Sequence, residues 1–114
     1  EHPLHTADRQ QLARRLLASA ERSGEHCWQL PLTPMLKDQL KSDVADLKND
    51  PDAWAQAGSV TAALFLQKFA PTSGAWAHFD IFAWTPQARP GSPRGGEAQG
   101  IRALFALIRN RYGK

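Results

Sequence analysis

The stretch Ala75-Trp76-Ala77-His78-Phe79-Asp80-Ile81-Phe82-Ala83-Trp84 decides how the rest of the chain is read. It is the clearest alternating run in the sequence, and alternation is the signature of a strand. Side chains along a strand point to opposite faces in turn. Trp76, His78, Asp80, Phe82 and Trp84 would therefore share one face, and Ala77, Phe79, Ile81 and Ala83 the other. The second face is purely apolar; the first carries a His and an Asp between aromatics. A strand covered on both sides with two polar groups either holds a buried hydrogen-bond network or borders a site.

Working outward, the flanking segments read as helices. Pro71 to Gly74 separates the run from Val60–Phe69, a stretch apolar on nearly every side that Ser59 can cap; such a helix is buried in something larger. Further back, Ser42-Asp43-Val44-Ala45-Asp46-Leu47-Lys48-Asn49 and the turn signal Asp50-Pro51-Asp52 read as an ordered loop or edge strand. Thr33-Pro34 opens a brief helix from Met35 to about Ser42, with Pro at the first helical position. Cys27 to Leu32 reads as a short extended segment. The chain starts with a helix from about Ala7 to Ser23, capped by Thr6, striped by Leu12, Leu16 and Ala20, and stopped by Gly24. On the other side of the central run, Thr85 to Gly96 is a Pro, Gly, Arg and Ser-rich connection, long enough to suggest a functional loop. Gly95-Gly96 then leads to a last helix with Ile101, Leu104, Phe105, Ile108 and Tyr112 at helical spacing, a stripe expected to face the core.

The 114 residues suffice for one domain, read as a single unit over 1–114. A hydrophobic fraction of 42% and a charged fraction of 22% describe a globular chain rather than a disordered one. Helices with only one or two visible strands imply an α/β arrangement in which helices pack on a partial mixed sheet. The net charge of +3 is concentrated near the end, in Arg89, Arg94, Arg102, Arg109, Arg111 and Lys114. A solvated helix face and a favourable C-terminal dipole account for it better than a nucleic-acid surface does. The single Cys27 excludes an intrachain disulfide and fits a reducing compartment. No apolar run approaches a membrane span and no signal peptide is visible, so the expected address is cytoplasmic.

The candidate chemistry is sparse. His78-x-Asp80 offers two metal donors on one strand face, but a zinc site needs three or four, and His26, Cys27, Asp43 and Asp46 lack ligand spacing. A structural polar pair is the better reading, and no metal is expected on the chain. Cys27 beside His26 suggests a thiol and base, although neighbouring side chains in an extended segment point apart. Asp43 and Asp46 read as loop solvation before acid–base work. Gly95-Gly96 could hold an anion on free N–H groups, yet no Lys-Ser/Thr follows as in a phosphate-binding loop. The four Trp are core anchors first.

Three segments taken together resemble the C-terminal part of the leucyl (cytosol) aminopeptidase family, the hexameric dinuclear-metal exopeptidases. They are Trp28–Leu32; Lys41–Asn49 followed by Val60–Leu66; and Trp76–Ile81, in the family's order and near its spacing. The resemblance implies a three-layer catalytic domain of which this is the C-terminal portion, its central sheet including the Ala75–Trp84 strand. It implies an enzyme that removes N-terminal amino acids from peptides with two divalent ions, zinc or manganese, assembled as a homo-oligomer. The family's metal ligands and catalytic Lys and Arg lie in motifs such as Asn-Thr-Asp-Ala-Glu-Gly-Arg, which this chain lacks, so it should be inactive alone. Carried over by position, one wall of the pocket for the substrate's N-terminal side chain falls on Phe82 and Thr85. His78 and Asp80 stay structural.

The sequence departs from the family in three places. Phe82-Ala83 stands for the usual Ala-Gly, Ala57-Gly58 for paired Gly, and Arg94–Arg102 for the commoner Lys-Gly-Ala-Thr-Gly approach to the last helix. A ring in the pocket wall should shift side-chain preference without changing the reaction class. An alternative from another class is a non-catalytic interaction domain whose basic C-terminal helix binds a partner or nucleic acid.

Overall fold

The structure, a computed structural model, describes residues 3–51 and 56–113, with side chains from Asp8 onward. The described chain divides into two compact units, one combining the segment up to Gln29 with Phe79 onward, the other spanning Leu30–His78.

The first unit is built on two helices, α1 (Pro3–Ser23) and α3 (Ile101–Tyr112), which pack on each other. Their most buried positions are small: Ser19, Ala20 and Ala103. Small residues let the two backbones approach, so the contact is close without large side chains. Helix α1 starts ahead of the expected cap, which leaves Thr6 inside it. It stops as expected at Gly24, whose φ of 74° is left-handed. There the Gly24 N–H donates to Glu21 O at 3.2 Å and the Glu25 N–H to Ala20 O at 2.9 Å. This pair of bonds is a Schellman motif, and it closes the open carbonyls of the last turn.

The Ala75–Trp84 run is not a strand over its length. Only Trp84–Thr85 (β1) joins a ladder, pairing antiparallel with Gly95–Gly96 (β2) in the register Trp84↔Gly96, Thr85↔Gly95. Alternation assigns faces, but a strand also needs a ladder of a neighbour's N–H and C=O groups, and among the described residues none forms along 75–83, where the Ala83 carbonyl alone accepts a neighbour's backbone N–H, that of Glu97. Ala83 has φ 55°, which ends the extended run. The expected sorting by face also fails: Ile81 and Phe82, on opposite faces, are both exposed. Gly95-Gly96 is thus a strand and not the direct approach to the last helix. Between β1 and β2 the chain reverses at Pro90-Gly91, where Arg89 and Ser92 exchange both backbone hydrogen bonds at 3.0 and 2.9 Å. Pro followed by a Gly at φ 78° is the residue pattern of a type II turn.

In the second unit, the brief helix is a 3-10 helix, η1 (Pro34–Leu40), opened by Thr33 and Pro34. Seven residues with no side-chain cap cannot repay a full α-helical nucleus, and the tighter 3-10 turn serves short pieces. Helix α2 (Gly58–Gln67) begins two residues before the expected Val60, with Ala57 rather than Ser59 at the cap. Leu40, Val60 and Leu64 form its core, and Leu36, Leu47 and Phe65 pack against them. The outer side of α2 and the turn after it are not covered: Ala62, Leu66 and, past the helix, Phe69 are exposed. The segment after Leu40 is a loop, pinned by Lys48 N–H to Leu40 O at 2.8 Å and by the Ser42 hydroxyl, which accepts from the Val44 and Ala45 N–H groups.

Candidate substrate wall at the base of the hairpin

The β1–β2 ribbon fixes what precedes it. At its base Ala83 is held on both sides: its N–H donates to Gln99 Oε1 at 2.8 Å, and its carbonyl accepts from the Glu97 N–H at 3.0 Å. Phe82, one residue before, is 71% exposed, and Ile81 and Trp84 beside it are about half exposed. Thr85 is 2% exposed. Its hydroxyl donates to Glu97 Oε2 at 2.7 Å, and Arg89 Nη2 donates to Glu97 Oε1 at 2.6 Å. The Thr85 hydroxyl above all, with the Arg89 guanidinium, holds the Glu97 carboxyl below the usual glutamate range, against the opposing effect of desolvation.

A second carboxylate orients the helix that follows. Glu25, placed by the Schellman turn and nearly buried, accepts the Gly100 N–H on Oε1 at 3.0 Å and the Ala103 N–H on Oε2 at 2.8 Å. These are two of the open donors at the start of α3, and a carboxylate there also complements the helix dipole. Gly100, with φ 79°, brings the backbone into position. Arg102 lies 3.1 Å from Glu25 Oε1 at the solvent edge.

Of the residues singled out in the sequence, Phe82 and Thr85 sit at the two ends of this turn, Phe82 outward and Thr85 inward. His78 is half-buried and Asp80 exposed. Cys27 and His26 are both exposed. Among the described residues no three of His, Cys, Asp and Glu converge as metal donors. Most of the apolar stripe of α3 does not face the core: Ile101, Phe105, Ile108 and Tyr112 are exposed, Leu104 is half-buried, and Ala103 carries the burial. Glu25, Glu97 and Gln99 escaped the sequence reading because hydrogen bonds over such separations leave no local pattern. The one available signal was the odd approach to α3, where Glu97 and Gln99 stand in a segment that departs from the family.

The profile of the cytosol aminopeptidase family, catalytic domain, matches residues 2–105. This chain belongs to the cytosol aminopeptidase family. It is 43% identical to a probable cytosol aminopeptidase of Syntrophotalea carbinolica over 104 residues, which is 90% of this chain and 20% of that protein. A probable cytosol aminopeptidase of Syntrophobacter fumaroxidans is 43% identical over 103 residues, again 20% of its length. The crystal structure of the cytosol aminopeptidase from Coxiella burnetii superposes with a TM-score of 0.84 at 43% identity, over 92% of this chain and 23% of that one. The α/β assignment is thereby established, and the chain spans about a fifth of the length of the curated relatives it matches. Both departures from the family's glycines fall on left-handed backbone: Ala83 at φ 55° and Ala57 at φ 62°. No helix among the described residues is long and apolar enough to cross a membrane.

Proposed function

We propose that this chain is the C-terminal segment of a cytoplasmic metallo-aminopeptidase that removes N-terminal amino acids from peptides, and that it contributes one wall of the substrate pocket, core and subunit contacts. The observation that carries this is the exposed Phe82 held at a braced turn, where the resemblance to the family implies a pocket wall. Thr85 contributes from beneath, through the hydroxyl that anchors the ribbon. The two divalent ions, zinc or manganese, would be held by residues outside this segment, and the exposed apolar surfaces of α2 and α3 fit burial in a larger homo-oligomeric enzyme, a hexamer by family resemblance. The peptide is the partner, and the basic α3 needs no nucleic acid to explain it.

The test compares turnover of a leucyl anilide by this chain alone and by the protein its natural gene encodes, with bound zinc and manganese measured on both. The reading expects turnover and stoichiometric metal in the encoded protein and neither in this chain. Robust turnover by the 114 residues alone would overturn it.

A further inference from the structure

Glu97 has no role in the reading above, yet its side chain joins two parts of the hairpin and its backbone a third. One carboxylate oxygen accepts from the hydroxyl of buried Thr85, the other accepts from Arg89 near the turn, and the backbone N–H donates to the Ala83 carbonyl. Gln99 closes the same turn from the other side through the Ala83 N–H. Ala83 is held in a left-handed conformation that favours glycine, so its geometry depends on these outside bonds. Phe82 hangs on that residue with its ring exposed. Where Phe82 stands therefore depends on the groups that hold Ala83.

We propose that Glu97 is a positioning residue for substrate selection: through Thr85 and the Ala83 carbonyl it fixes the Phe82 ring, and so sets which N-terminal side chains of a peptide the pocket accepts. This rests on the aminopeptidase reading. Thr85, being covered and already hydrogen-bonded, makes no direct polar contact to the substrate, and the exposed sorting surface is the ring of Phe82. A displacement of a wall by the width of a methylene changes discrimination between neighbouring aliphatic side chains on the order of tenfold.

The experiment uses the complete enzyme that carries this segment and reads the ratio of kcat/KM for leucyl over alanyl anilide. Glu97→Ala is expected to shift that ratio on the order of tenfold. Glu97→Gln, which keeps an acceptor for Thr85, is expected to retain most of the wild-type ratio. In a Phe82→Ala background Glu97→Ala should add no further shift, because the ring it positions is gone. A residue needed only for folding would lower both substrates together. A ratio unmoved by Glu97→Ala in an active enzyme, or an equal shift with Phe82 already removed, overturns the proposal. If the wild-type enzyme turns over neither anilide, the aminopeptidase reading fails and substrate selection with it. The brace itself is read separately, in the same complete enzyme, by hydrogen exchange at the Ala83 amide. Glu97→Ala should speed it on the order of tenfold through local opening, and an unchanged rate overturns the brace.

Discussion

Replacing Glu25 with Ala is the perturbation whose cost follows most directly from the geometry. The side chain accepts from two backbone N–H groups at 3.0 and 2.8 Å, and its carboxylate is nearly buried. Gly100 and Ala103 are themselves buried, so water does not readily replace the lost acceptor. A hydrogen bond to a charged group contributes about 1.5–3 kcal/mol. Relief from holding a carboxylate out of water offsets part of that. The pair with Arg102, whose side chain is more than half exposed, adds little. The expected net loss is about 2–4 kcal/mol, a large share of the ~5–15 kcal/mol that holds a domain of this size. Glu25→Gln keeps one acceptor oxygen and should lose about half as much. Urea denaturation of the 114-residue chain, followed by far-UV circular dichroism, measures both. A Glu25→Ala loss under about 0.5 kcal/mol would refute the capping argument. A Gln variant as damaged as the Ala variant would show that charge, rather than the two acceptor positions, carries the effect.

Two further outcomes follow, one from left-handed backbone in each unit and one from the hairpin. Ala83→Gly and Ala57→Gly should each stabilise the chain by about 0.5–1 kcal/mol, because left-handed backbone costs an L-residue about 1–2 kcal/mol and the added chain entropy of Gly returns part of it; a loss of stability in either variant contradicts the strain. Glu97 binds its proton less readily when folded than when unfolded, held so by Thr85, Arg89 and the more distant Arg102. Its contribution is therefore complete above the unfolded value and disappears as pH falls through the lowered folded value, below about 4.3. Acid titrations of stability for wild type and Glu97→Gln should diverge above that range and converge below it, and parallel curves would rule this out.

Much of the helical framework was legible because its signals are local. Gly24 stops α1, Thr33 and Pro34 open η1, and the stripes of α1 and α3 show the right period. The faces those stripes point to were less legible. Ile101, Phe105, Ile108 and Tyr112 read as core but are exposed, since periodicity reports amphipathicity and not which neighbour is present to cover it. The same gap explains the Ala75–Trp84 run, which has the pattern of a strand but no ladder until Trp84. The loop Thr85–Gly96 hid the most: its ribbon depends on a Pro90-Gly91 turn and on Glu97 and Gln99 reaching back to Thr85 and Ala83. Glu25 was harder still, because its partners lie on a helix far along the chain. The candidate wall at Phe82 came from family resemblance, and the bracing beneath it came from the structure alone.

The side-chain preference of the complete enzyme with Phe82→Ala tests the central claim most directly. A panel of aminoacyl anilides differing only in the N-terminal side chain would be compared with wild type by kcat/KM. The account predicts an active enzyme whose profile moves toward bulkier side chains, by about tenfold for the substrates most affected. An unchanged profile would remove Phe82 from the wall and contradict the account.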